Sequence, residues 1–289
     1  MAERYEIVFD FSEYAGQTIE LRNFAKAGGA GVEGDYEDTD KVMRFVVSPF
    51  GIPDNSTVPS QLRAVPFPRS ATGTIKHHFK FHRQGGKWLI NGVGFADVQN
   101  RILAMVPRGS VEIWELENTT DGWSHPIHVH LVDFRIIRRG GRHGVGKHGT
   151  RGVAPYERAG LKDVVWLGRE ERVLVEAHYA PWDGVYMFHC HNLIHEDDDM
   201  MAAFNVTALP GFGYNDTAFA DPMDPKWRAK PYSLTDYDAR TGPFHPRQID
   251  ATARAMAASN PYGNITKVEE ALGEYWNGTG LARQARRRL

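Results

Sequence analysis

Two short stretches hold six of the chain's 13 histidines together with its one cysteine. The first is Trp123-Ser124-His125-Pro126-Ile127-His128-Val129-His130. The second is Phe188-His189-Cys190-His191-Asn192-Leu193-Ile194-His195, and Glu196-Asp197-Asp198-Asp199-Met200-Met201 follows it. Imidazole, thiolate and thioether together form a copper ligand set, and two imidazoles with one thiolate and a weak axial thioether are the pattern of an electron-transfer copper. His125, Cys190, His195 and Met200 supply that pattern. Strand geometry gives the spacing a second meaning, because side chains along a strand alternate faces with period 2. Cys190 then points one way while His189 and His191 point the other; His128 and His130 share a face, with His125 opposite. One face collects His125, Cys190, His195 and Met200, the other His128, His130, His189 and His191. Two metal sites back to back follow, linked through Cys190 by a few covalent bonds, and a single-metal enzyme needs no such duplication. Zinc stays open for any His/Cys cluster, although structural zinc favours tetrahedral Cys-rich sets. A Cys/His nucleophilic dyad would leave five clustered histidines without a role. The remaining histidines, His77, His78, His82, His143, His148, His178 and His245, read as structural residues.

The elements that must position these side chains read as an all-β fold. Strands are expected over 5–11, 18–24, 42–48, 74–82, 87–90, 110–118, 128–137, 163–167, 171–177, 184–191 and 202–207. Gly85-Gly86, Asn91-Gly92, Asp121-Gly122 and Asp183-Gly184 punctuate them as turns, and many short strands with such turns indicate a sandwich or barrel rather than βαβ units. Residues 28–40 read as a surface loop and the Pro-rich stretch 49–68 as a link. After Pro210 the composition turns to Pro, Asp and Tyr, a coil expected to wrap the domain. Helices are expected over 246–258, with Pro246 in the first turn, and over 266–275, with Thr266 as cap. Arg286-Arg287-Arg288 reads as a solvated end.

The 289 residues carry a net charge of -2, are 42% hydrophobic and have a mean hydropathy of -0.46. That balance supplies no overall field for nucleic acid or an anionic membrane, and no apolar run approaches the length of a membrane span. A single cysteine excludes an intrachain disulfide framework. The first residues, Met1 to Phe9, lack the basic and apolar regions of a signal peptide and read directly as strand, so sequence upstream is expected. Six of the eleven asparagines, Asn55, Asn118, Asn205, Asn215, Asn264 and Asn277, head Asn-x-Ser/Thr sequons. Such sites are used in the secretory route, so a secreted glycoprotein is expected, its signal peptide absent from this chain.

The two clusters resemble the C-terminal copper signatures of the multicopper oxidases, His-Pro-x-His-x-His and His-Cys-His-x₃-His-x₄-Met. The surrounding text, through Ala202-Ala203-Phe204-Asn205-Val206-Thr207, is most similar to the C-terminal part of the fungal bilirubin oxidase branch. The tail from Gly213-Tyr214-Asn215 through Asp221-Pro222-Met223 to Trp227-Arg228 is similar to it as well. The resemblance implies cupredoxin-like Greek-key β-barrels. Residues 1–65 would be the closing strands of a truncated second domain plus linker, 66–215 the copper-bearing cupredoxin domain, and 216–289 a partly helical wrapping tail. It implies copper as cofactor: His125, Cys190, His195 and Met200 as the type 1 ligands, His128 at the type 2 copper, and His130, His189 and His191 at the type 3 pair. A small aromatic reductant and O₂ would be the substrates, with Cys190 as the electron conduit and Trp123 as the edge where the reductant docks. Asn192 would hydrogen-bond near Cys190, and Asp197–Asp199 would be a solvated turn or a local field.

A complete family cluster draws further histidines from two N-terminal His-x-His motifs, and His77-His78-Phe79-Lys80-Phe81-His82 lacks that spacing. The type 1 site is thus expected complete and the type 2 and type 3 sites half present. An N-terminal domain outside this chain would supply the rest, and the chain alone should not reduce O₂. The alternatives are a one-copper electron-transfer or copper-binding module without oxidase activity, and a remnant with empty sites.

Overall fold

Alternation of buried and exposed side chains builds the strands, and a fully buried run marks a strand covered on both faces. The computed structural model describes residues 3–22, 41–60, 63–69, 71, 73–120, 122–141, 152–213, 233–258 and 265–280. Its strands are β1 (Thr18–Arg22), β2 (Lys41–Val46), β3 (Ile75–Gln84), β4 (Lys87–Ile90), β5 (Ile102–Pro107), β6 (Val111–Asn118), β7 (His125–Val129), β8 (Phe134–Gly141), β9 (Val164–Leu167), β10 (Glu171–His178), β11 (Gly184–Cys190) and β12 (Met201–Thr207). The helices are α1 (Pro155–Ala159), α2 (Leu193–Asp197), α3 (Leu234–Ala239), α4 (Pro246–Ala258) and α5 (Ile265–Glu274). β1 and β2 pair as a two-stranded ribbon; the other strands form two five-stranded sheets, ordered β4-β3-β6-β10-β8 and β5-β12-β11-β7-β9. The non-sequential neighbours are Greek-key crossings. Gly85 and Gly86, at φ +60° and +85°, make the tight β3–β4 hairpin, a turn that needs both central residues left-handed.

The chain divides into two compact units: Met1–Ala104 with Val111–His178 and Tyr186–Phe204, and Met105–Ser110 with Tyr179–Val185 and Asn205–Leu289. In the first, Phe79 packs on Phe188 and Trp114 at centroid distances of 4.5 and 5.0 Å, and Trp114 on Phe204 at 5.3 Å. All four are essentially inaccessible, and burying each stabilises the fold by roughly 1.5–3 kcal/mol. Phe188 lies two residues from Cys190, so this aromatic cluster fixes the strand that carries His189 and Cys190. Arg139 is buried with its carboxylates, pairing with Glu157 at 2.7 Å and Glu171 at 3.0 Å, and so fastens α1 to β8 and β10. In the second unit Leu209, Val268 and Leu272 form a small core with Phe212, Tyr275 and Trp276 against it. There the indole of Trp276 donates to the Arg108 carbonyl at 3.0 Å. Gly109, at φ +76°, leaves no room for a Cβ, which would stand 2.8 Å from the Trp276 nitrogen.

Several expectations are corrected. Residues 5–11 form no strand: Tyr5 packs on Tyr156, and Phe11 on Phe9 and Phe45. Their alternation serves side-chain packing, with no paired strand alongside among the described residues. The run 128–137 is two strands, β7 and β8, broken where Leu131 takes φ +71°. Thr266 lies inside α5, which begins at Ile265, and does not cap it. β5, α1, α2 and α3 were not anticipated from the sequence. Asn118 is 1% exposed, and its amide donates to the carbonyls of Trp123 and Gly168, each at 2.8 Å, so it cannot carry a glycan in this fold. Residues 28–40, His143, His148, Asn215, Asn264, the tail resemblance over 214–228 and Arg286–Arg288 lie outside the described residues. No helix among the described residues is long and apolar enough to cross a membrane.

Candidate metal centre

Strand register decides which side chains can meet. β11 pairs antiparallel with β7, setting His189 opposite His128 and Cys190 opposite Ile127. Paired residues share a face and neighbours alternate, so Cys190 shares its face with Ile127 and His125, while His189 faces the other way with His128. β7 ends at Val129; His130 follows it, with its N–H bonded to the Met187 carbonyl at 3.0 Å. α2 starts within the second motif, at Leu193, capped by the Asn192 side chain, which accepts the Ile194 N–H. This short helix returns His195 to the face of Cys190.

The first group is a triangle. His125 Nδ1 and His195 Nδ1 are 3.1 Å apart, and Cys190 Sγ is 3.5 Å from each. Around a first-row metal with bonds of about 2.1 Å, three trigonal ligand atoms stand about 3.6 Å from one another. All three residues are fully buried. The tautomer of His125 is set from behind. Thr120 Oγ1 gives its hydrogen to Asn118 Oδ1 at 2.6 Å, which leaves it an acceptor for His125 Nε2–H at 3.2 Å. The Nδ1 lone pair then faces the triangle. Met200 is fully buried beside the group: its N–H donates to the His195 carbonyl at 3.0 Å and its carbonyl accepts the Cys190 N–H at 3.1 Å.

The second group joins ligand atoms of His128, His130 and His189 within 4.8 Å of one another. His128 Nδ1–H donates to the Asp163 carbonyl at 2.8 Å, freeing Nε2. His189 Nδ1 donates to the Cys190 carbonyl at 3.4 Å, with the Glu196 carboxylate 3.2 Å away, and its Nε2 stands 3.3 Å from that of His130. His191 is not part of this compact trio; its ring lies 5.1 Å from that of His189 and 5.7 Å from that of His128. Each ligand ring held by an oxygen on its far nitrogen is a pre-oriented metal ligand.

Burial sets the protonation of both groups. It pushes the Cys190 thiol up to about 12, against the Asn192 backbone amide, which favours the thiolate. Burial, reinforced by His195, lowers His125 to about 3; burial, with Arg83 nearby, lowers His195 to about 4. Burial likewise lowers His130 and His189 to about 4. His125, His130, His189 and His195 are therefore neutral at neutral pH, whereas the Cys190 thiol must release a proton when a metal binds. Buried nitrogen lone pairs and a thiol converging on one point fit copper.

Two indoles enclose the first group. Trp88 lies 3.9 Å from the His195 ring and 5.6 Å from that of His125, while Trp123 meets Trp88 at 5.6 Å and His195 at 5.1 Å. Trp123, half-buried, thus lies against the His195 ring. Asn192 acts on the sulfur through its backbone amide, its side chain being spent on the helix cap. Asp199 is no solvated turn: its carboxylate accepts from Ala96 N and Lys87 Nζ at 3.0 and 2.9 Å. The sequence reading missed Thr120, Trp88, Asp163 and Glu196. Glu196 adjoins a ligand and could have been found by position; Asp163 acts through a carbonyl, which no side-chain identity reveals. His77 and His78 are structural, placed 3.3 Å from Glu112 and 2.8 Å from Glu117.

A family model described as multicopper oxidase matches residues 67–209. Bilirubin oxidase of Albifimbria verrucaria is 59% identical over 264 residues, 91% of this chain and 45% of that protein. A laccase of Bacillus subtilis is 32% identical over 229 residues, covering 71% of this chain and 42% of its own length. Among solved structures, a laccase from Pediococcus acidilactici has 27% identity and a TM-score of 0.53, covering 68% of this chain and 38% of that one. The McoA multicopper oxidase from Aquifex aeolicus has 25% identity and a TM-score of 0.53, with coverage of 67% and 41%. The Greek-key sheets are the cupredoxin-like fold of these neighbours. The chain spans less than half the length of the curated relatives it matches.

Proposed function

Because the chain belongs to the multicopper oxidase family, we propose that it is the copper-binding C-terminal part of a laccase- or bilirubin-oxidase-like oxidoreductase. Its reductant would be a phenolic or pyrrolic compound giving up single electrons, and its acceptor O₂. The observation that carries this reading is the triangle of His125 Nδ1, His195 Nδ1 and Cys190 Sγ, with sides of 3.1, 3.5 and 3.5 Å. Copper, when bound, supplies one-electron transfer and, in the complete family cluster, reduction of O₂ to water.

The chain's own residues divide the remaining work. His125 and His195 would hold the metal as neutral imidazoles, with Cys190 as thiolate and Met200 as thioether, while Thr120 keeps His125 in the right tautomer. Trp88 and Trp123 exclude water from His195 and offer an aromatic face to a planar donor. Cys190 is joined through the backbone to His189 and His191, so only a few covalent bonds separate the sulfur from the second group. His128, His130, His189 and His191 would form one side of the oxygen-reducing cluster, the rest coming from an N-terminal domain. On this reading residues 1–65 close that preceding domain, 66–215 are the copper domain and 216–289 a tail. A secreted protein glycosylated at the exposed Asn55 and Asn277 is part of the proposal.

A one-copper electron-transfer module is the second reading, favoured by the position of His191 outside the compact trio. Copper titration of the chain, followed by visible absorption and by O₂ uptake with a dimethoxyphenol, tests the proposal. Copper uptake with an intense thiolate-to-copper band and no O₂ turnover is expected. Steady turnover by the chain alone would contradict the half-built cluster, and failure to take up copper would overturn the reading. A near-ultraviolet shoulder from a coupled copper pair favours the oxidase fragment; its absence favours the electron-transfer module.

A further inference from the structure

Asp199 takes φ +80°, a left-handed conformation in which a residue with a Cβ is strained and glycine is not. An aspartate is held there by what its carboxylate does. Oδ1 accepts the Ala96 N–H at 3.0 Å and Oδ2 the Lys87 ammonium at 2.9 Å. Its carbonyl accepts from Phe95 N at 3.3 Å and from Met201 N at 2.7 Å. The segment after β4 is shaped to receive it: a Cβ on Gly94 would stand 2.8 Å from Asp199 Cγ. The next residue is Met200, fully buried, with its N–H on the His195 carbonyl and its own carbonyl on the Cys190 N–H. One turn therefore ties the backbones of three ligands together, and the Asp199 carboxylate anchors that turn to residues 94–96.

We propose that Asp199 is a positioning residue for Met200, a latch between the β4–β5 segment and the turn from α2 to β12 that fixes how the thioether meets the metal held by His125, Cys190 and His195. The proposal rests on the copper reading above. Without the latch the turn keeps its sequence and the ligands keep their identities, but Met200 samples a wider range of positions, which weakens and broadens axial coordination.

Asp199→Gly is the decisive variant, because glycine adopts the same φ without strain while losing both carboxylate bonds. Asp199→Asn keeps an acceptor for Ala96, and Met200→Leu, lacking the thioether, calibrates complete loss of axial sulfur. In the metal-free chain, amide exchange at Met200 and Cys190 should quicken at least tenfold in Asp199→Gly and less than threefold in Asp199→Asn, with Val173 in β10 unchanged. In the copper-loaded chain the visible spectrum and reduction potential of Asp199→Gly should move in the direction of Met200→Leu and by a smaller amount. Wild-type exchange rates and spectrum in folded Asp199→Gly, or a shift in the opposite direction, would overturn the latch. If the wild-type chain takes up no copper, the copper reading fails by itself, and the exchange measurement still decides whether Asp199 holds the turn.

Discussion

Replacing Thr120 by Val removes one hydroxyl and nearly conserves volume, yet it should weaken metal binding strongly. His125 is fully buried and its Nε2–H has Thr120 Oγ1 as acceptor at 3.2 Å. Without that oxygen the ring has two options. It can keep the N–H buried and unsatisfied, at about 1–3 kcal/mol. Alternatively the proton moves to Nδ1, where it points into the triangle 3.5 Å from Cys190 Sγ and occupies the lone pair the metal needs. Loss of an outer partner of this kind typically costs about 10–100-fold in metal affinity. Asn118 Oδ1 still accepts the residue-120 backbone N–H at 2.8 Å, so the local turn survives and the effect is confined to the histidine. Competition against a chromophoric Cu(I) chelator measures the affinity, and long-range ¹H–¹⁵N correlation of the metal-free protein reads the His125 tautomer. Unchanged affinity together with an intact Nε2–H signal would refute the assignment of Thr120 as the residue that orients His125.

Arg139→Met leaves Glu157 and Glu171 buried without their guanidinium and should cost about 3–5 kcal/mol in urea unfolding; a loss below about 1 kcal/mol would contradict the role given to the triad. For Glu117, burial pushes the carboxyl up, but Arg172 and His78 outweigh it and hold it below the ordinary carboxylate range. Its pairing therefore stabilises the fold fully above the unfolded value of about 4.3 and is lost as pH falls through the lower folded value. The stability gap between wild type and Glu117→Gln should close on acidification below about pH 4, and a gap that widens there would reverse the sign. Expressed through a secretory host, the chain should carry glycan at Asn55 and none at Asn118, as peptide mapping would show; a glycan on Asn118 would contradict its buried placement.

The two groups were legible because a period of two is a property of the strand itself: once 125–129 and 188–190 lie on strands, the parity of each residue there assigns it to one group or the other. His195 and Met200 are reached by the short helix and turn that follow, and their spacing carried them. What stayed hidden depends on chain segments remote in sequence. Trp88 arrives from another sheet, Asp163 contributes a carbonyl, and Asp199 looks like part of an acidic run until Lys87 and Ala96 are seen on its carboxylate. Residues 5–11 alternate like a strand but have no ladder partner among the described residues; the sequence shows the face a segment packs, not whether another strand lies alongside. The 128–137 run was continuous in hydrophobicity, and the left-handed turn at Leu131 that divides it is carried by a residue with no preference for that conformation.

Cys190, His125 and His195 are proposed to converge on one copper ion. X-ray absorption at the copper edge, on the chain loaded with one equivalent and compared with Cys190→Ser, tests it most directly. One short sulfur neighbour with two nitrogen neighbours is expected in the wild type, and loss of that sulfur in the variant. A wild-type copper surrounded only by nitrogen and oxygen would contradict it.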